Sequence, residues 1–208
     1  MGSSWQIIII SLPAILLALS VHEFAHGYVA YRLGDPTPKY QGRLTLNPLA
    51  HLDPIGTLLL IIARFGWAKP VMVNPANFRI NPRKGMLYVA LAGPLSNLLV
   101  ALAAGILYTL CIKFQAAYFW LVLTEALLVI DLCLAVFNLI PIPPLDGFKI
   151  LSGLLPTGGY RFLIQLEAYG PFILIFVVIT GLIGYILGPL VNGLLYSIML
   201  ISGFIVGL

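Results

Sequence analysis

The chain has 208 residues, of which 61% are apolar and 9% charged, with a mean hydropathy of +1.04 and a formal net charge of +4. Soluble domains carry about 25% charged residues, so this composition excludes an ordinary water-soluble domain and places most of the mass in or near a bilayer. The cations collect in one long loop rather than on a basic face, which argues against a nucleic-acid partner and for a lipid bilayer as the chain's surroundings.

Five segments reach the roughly 20 apolar residues that a spanning helix requires: approximately 6–30, 86–112, 118–140, 163–184 and 186–207. The first does not read as a signal peptide, because residues 1–6 carry no Lys or Arg and no small-residue cleavage site closes the run. It contains His22-Glu23-Phe24-Ala25-His26, the pattern H-E-x-x-H. On a helix, residues four apart lie about 40° apart in azimuth and roughly 6 Å apart along the axis. Both imidazoles therefore reach one ion, and Glu23 stands beside them as a base toward water. Ionisable groups at membrane depth are costly enough to mark a functional site.

The next apolar stretch, 55–65, is too short to span; Pro48, Pro54 and Gly56 flank or open it and Arg64 closes it. It reads as a re-entrant loop or a strand pair. Lys69-Pro70-Val71-Met72-Val73-Asn74-Pro75 alternates and is punctuated by proline, so short strands with an exposed edge are expected there. The region 40–80 is thus a small re-entrant or β-strand element between two helices. Helix 118–140 carries Glu125 and Asp131, read as pairing or snorkelling groups, and Pro141, Pro143 and Pro144 break the chain after it. Gly184, Gly188 and Pro189 suggest a break between the last two helices. Cys111 and Cys133 lie in apolar runs and read as small buried hydrophobes.

Charge selects a topology. If 31–85 stays on one side, that side holds Arg32, Lys39, Arg43, Arg64, Lys69, Arg79, Arg83 and Lys84, joined by Lys149 and Arg161 and opposed only by Lys113. The loop is then cytoplasmic, and the histidines and Asp146 both fall near the cytoplasmic face.

Catalytic zinc usually takes three protein ligands. The third comes from His51, Asp35, Asp53, Glu125, Asp131, Asp146 or Glu167. Asp146 is the best choice. It lies on a proline-broken, still apolar segment, and unwound backbone at membrane depth is tolerated only within protein or beside a water-filled cavity. Gly147 lets the chain turn after it.

Three elements together resemble the site-2 protease family of intramembrane zinc metalloproteases. They are His22-Glu23-Phe24-Ala25-His26, Ala92-Gly93-Pro94-Leu95-Ser96-Asn97, and Asn138 to Gly147, which fits N-x-x-P-x-x-x-x-D-G. Gly66-Trp67-Ala68-Lys69-Pro70-Val71 also looks like the loop of the family's short prokaryotic members. The resemblance implies one zinc ion held by His22, His26 and Asp146, with Glu23 as general base. It implies an all-α polytopic membrane protein with about five to six spanning helices. Three of these, approximately 6–30, 86–112 and 118–140, form the catalytic core. The whole chain, 1–208, reads as one membrane-embedded protease domain. Its expected substrates are transmembrane segments of other membrane proteins, in a prokaryotic cell membrane, with the active site toward the cytoplasm.

Weaker candidates remain. Asn138 either binds substrate backbone or caps the broken helix, and Asn97 either bonds helix to helix or touches substrate. His51 reads as a structural histidine bonded to Asp53, with an approach to metal, loop or substrate as the alternative. A homo-oligomer is left open. The main rival function is a membrane zinc transporter, for which Glu23 between two histidines is less suited; a second is an inactive partner that binds membrane segments.

Overall fold

A computed structural model of the chain describes residues 4–56, 69–155 and 160–207. Seven helices appear among these residues: α1 (Ser4–Arg32), α2 (Thr37–Tyr40), α3 (Pro82–Lys113), α4 (Tyr118–Asn138), α5 (Asp146–Leu154), α6 (Tyr160–Ile179) and α7 (Leu182–Val206). Stretches of α1, α3, α4 and α7 are long and apolar enough to cross a membrane. Large apolar side chains face outward, among them Ile9, Leu99, Tyr185 and Phe204. In water such a surface is a liability; in lipid it is the solvent-matched face.

The core forms where α1, α3 and α4 pack against one another, with α7 against α3 and α4. Ala14, Ala18, Ala90, Ala101, Ala104 and Ala135 are buried there. Lipid offers no hydrophobic drive for helices to associate, so small residues that permit close backbone approach carry the packing. Gly105 is an instance, since a Cβ there would collide with Ile198 of α7. Leu128, Leu132, Val136, Val191 and Ile198 fill the space above this seam.

Chain chemistry sets the boundaries. The Asn81 side chain accepts from the amides of Arg83 and Lys84, and Pro82 opens α3 where no donor is needed. Helix α4 ends before the prolines, and the chain resumes helix at Asp146. Gly147 is required at that return, because a Cβ would collide with the carbonyl oxygens of Leu139 and Ile140. Gly34, at φ +115°, turns the chain out of α1.

Two expectations change. The break between the last helices falls at Thr180-Gly181, with Gly181 at φ +73°, and α7 continues through Gly184, Gly188 and Pro189. A left-handed glycine ends a helix more decisively than glycines held at helical angles. Among the described residues no strand forms in the 40–80 region. The reason is visible in the donors: Pro70 and Pro75 have none, and the amides of Lys69, Val71 and Asn74 are bonded to His51 O, Glu23 Oε2 and Asp35 Oδ2. These amides are held by one side chain of α1 and by groups of the connections that follow it rather than by a neighbouring strand. The remainder of the proposed re-entrant stretch, 57–68, lies outside the described residues.

Candidate metal centre

Helical periodicity brings His22 and His26 to one face of α1, and the proline-broken return after α4 brings Asp146 to meet them. The Nε2 atoms of the two histidines lie 3.0 Å apart. Asp146 Oδ2 is 3.2 Å from His22 Nε2 and 3.0 Å from His26 Nε2. All three residues are buried. They are the one group of three or more His, Cys, Asp or Glu side chains suited to a metal among the described residues.

The hydrogen bonds behind the imidazoles determine what faces inward. His26 Nδ1 lies 2.7 Å from the Val89 carbonyl oxygen, which only accepts, so Nδ1 carries the proton. His22 Nδ1 lies 2.6 Å from Asn97 Oδ1. The Asn97 amide nitrogen donates to the Ala18 carbonyl at 3.1 Å and to Asp131 Oδ1 at 2.5 Å, which turns its oxygen toward His22. Both Nε2 atoms therefore present lone pairs.

The residues fit a zinc ion. Two imidazole lone pairs and a carboxylate oxygen converge with no proton among them, and the buried Asp146 Oδ2 has no hydrogen-bond partner. Such an arrangement is repulsive without a cation. Its spacings also match the edge of a tetrahedron whose metal–ligand bonds are about 2.0 Å, roughly 3.3 Å. Lys149 Nζ donates to the other oxygen of Asp146, Oδ1, at 3.1 Å.

A cleft of about 360 Å³ opens beside His22, His26 and Asp146. Glu23 and Asn138 line it from the helices, and Pro70 to Val73 line it from the opposite side. Glu23 Oε2 accepts the Val71 N–H at 3.0 Å. Asn138 donates back to the Leu134 carbonyl at 3.0 Å while bordering the cleft.

Gly93 explains the small-residue motif of α3. A Cβ there would lie 2.5 Å from His26 Nε2 and 2.6 Å from His22 Cε1. Asn97, one turn on, takes the same face and is completely buried. It bridges α1 and α4 behind the metal group and does not line the cleft. His51 is also buried away from the cleft, with Nε2 donating to the Thr45 carbonyl at 2.8 Å. Asp53 accepts from the amides of Ile55 and Gly56.

Sequence reasoning missed two contributors. Lys149 was only a charge in the topology count, although its spacing from Asp146 on a helix signals contact. Asp35 was only a ligand candidate; it instead gathers Thr37, Asn74 and Asn77 into one junction below α1. The Asn97–Asp131 hydrogen bond matches the reading of Asn97 as a helix-to-helix bond and of Asp131 as a pairing group.

Comparison with known proteins places this geometry in context. The chain is 41% identical over 184 residues to YwhC of Bacillus subtilis, a match covering 86% of this chain and 84% of the relative. It is 33% identical over 171 residues to Rip2 of Mycolicibacterium smegmatis, covering 79% of this chain and 64% of the relative. It is 30% identical over 188 residues to Rip2 of Mycobacterium tuberculosis, covering 88% and 69%. All three carry provisional zinc metalloprotease names. No protein-family model matches the chain, and no solved structure matches it significantly.

Proposed function

The chain belongs to the site-2 protease-like family of zinc metalloproteases, and we propose that within it this protein cuts transmembrane segments of other membrane proteins. The observation that carries this reading is the position of the cleft. His22, Glu23, His26 and Asp146 surround it inside a bundle whose helices are apolar enough to span a bilayer. The same reading takes 1–208 as one membrane-embedded unit, and the cations of the α1–α3 connection support a cytoplasmic position for the site.

His22, His26 and Asp146 would hold the zinc. When bound, zinc supplies Lewis acidity to a peptide carbonyl and makes water a better proton donor. Glu23 then works as general base. One of its oxygens is engaged by the Val71 amide, so the other takes the proton of the attacking water. The same carboxyl returns that proton to the departing amide nitrogen. A substrate helix hides its amides in internal hydrogen bonds and must unwind to enter. Asn138 and the segment from Pro70 to Val73 border the cleft where unwound backbone would need polar partners.

The test is cleavage of single-span substrates by purified protein in lipid, with wild type beside Glu23→Gln and zinc counted in both. Cleavage by wild type alone, with equal zinc, is the expected result. Zinc without cleavage of any substrate, together with zinc flux into liposomes, would favour a transporter instead.

A further inference from the structure

Asp131 is a buried carboxylate that the proposed chemistry does not use. It sits on α4 at 0% exposure, and it touches the metal group only through one amide. That amide, Asn97, is fully committed: Nδ2 donates to Ala18 O on α1 and to Asp131 Oδ1 on α4, and Oδ1 faces His22 Nδ1. Asp131 Oδ2 has no hydrogen-bond partner, so nothing else in the structure accounts for a carboxylate at this depth.

The geometry points to Asp131 as a positioning residue that locks the tautomer of His22 through Asn97. An asparagine amide rotated by 180° would present an N–H to His22 Nδ1. His22 would then carry its proton on Nε2, and that tautomer has no lone pair for a metal. The same rotation would turn the Asn97 oxygen onto the Ala18 carbonyl and the Asp131 carboxylate, two groups that only accept. As the amide stands, Nδ2 donates to both oxygens, and the rotation would forfeit both bonds. An apolar residue at 131 would remove one of the two restraints. His26 needs no such device, because a backbone carbonyl cannot reverse its polarity.

This inference rests on the reading of His22 as a zinc ligand, and the experiment separates the two. The chain has three histidines, few enough for assignment by NMR in protein labelled with 15N at histidine, stripped of zinc and held at a pH where all three imidazoles are neutral. Wild type should show His22 and His26 protonated at Nδ1 and His51 protonated at Nε2. In Asp131→Leu, His22 should shift toward the Nε2-protonated form while His26 and His51 stay unchanged, which also reports an intact fold. Zinc affinity by chelator competition should fall about tenfold, the lower end for loss of an outer partner of a ligating histidine. Asp131→Asn, which keeps an acceptor in one orientation, should lose less than the leucine variant. Asp131→Val replaces Asp131→Leu if the longer side chain is not accommodated. A His22 tautomer unchanged in the apolar variant overturns the proposal, whatever the affinity does. If instead His22→Ala binds zinc as wild type does, it is the ligand assignment that fails.

Discussion

Glu23 Oε2 accepts a hydrogen bond from the Val71 amide at 3.0 Å, so the proposed base is held by backbone from across the cleft. A proton acceptor works only when aimed, and a carboxylate on a membrane helix has many rotamers to lose. The Val71 N–H selects one. Val71→Pro removes that donor without touching the metal ligands, whereas Val71→Ala keeps it. We expect kcat to fall about tenfold to a hundredfold in the proline variant, a part of the roughly 10²–10⁴-fold that general-base catalysis contributes, with zinc content unchanged. Equal turnover by Val71→Pro and Val71→Ala would show that Glu23 is aimed by something else.

The approach of α3 to the metal group depends on Gly93. A methyl group there would sit 2.5 Å from His26 Nε2, well inside contact distance, and the imidazole cannot retreat without leaving Asp146. Gly93→Ala should therefore lower zinc affinity at least tenfold. Gly188 is the control: it lies in α7 with open space around it, so Gly188→Ala should leave zinc binding intact and gain roughly 0.5–1 kcal/mol of helix stability. Chelator competition on both variants decides the matter, and similar zinc affinities for the two would refute this role for Gly93.

How far the sequence carried can be judged from these residues. The convergence of His22, His26 and Asp146 was legible because helical spacing and a proline break constrain where side chains must go, and both rules are local. The spanning helices were legible for the same reason, since length and apolarity in a bilayer leave few alternatives. The roles of Gly93 and Val71, and the contact of Asn97 with His22, were not legible. Each acts across sequence separations of tens of residues, and which atom of an amide meets which histidine is decided by packing rather than by pattern. The strand expectation for 69–75 failed instructively. Alternation there was real, but side-chain carboxylates of Glu23 and Asp35 had taken the amides that a strand partner would need.

Asp35 joins the end of α1 to the segment that faces the cleft. Its carboxylate accepts from Thr37 N and Oγ1, Asn74 N and Asn77 Nδ2. Burial alone would raise its pKa, but these donors outweigh burial and hold it below the ordinary value of 3.8. A depressed folded pKa means that the stabilisation is fully present above the unfolded value and is lost as pH falls through the folded one. At pH 7, Asp35→Asn should be less stable than wild type by about 2–3 kcal/mol, because a carboxamide cannot satisfy every donor that the carboxylate does. That gap should narrow as the pH drops below the ordinary carboxylate range. Thermal unfolding in detergent across this range measures it, and a gap that stays constant into acid would exclude Asp35 as its source.

Lys149 and Asp146 form the last testable pair, because the two oxygens of one carboxylate face different partners. Oδ2 faces the imidazoles, and Oδ1 accepts from Lys149 Nζ at 3.1 Å. The lysine side chain is 45% exposed, so solvent screens its charge and its contribution to stability is small. Its effect on the metal group is steric and directional: it keeps Asp146 from swinging both oxygens toward the ion. Lys149→Met should lower zinc affinity by less than about tenfold, and Lys149→Arg should restore most of it. Asp146→Asn should cost far more, because it removes the one anionic donor of the set. A Lys149→Met variant as depleted of zinc as Asp146→Asn would make the lysine essential rather than supportive. Zinc content and chelator competition on the three variants, in the same lipid, distinguish these outcomes.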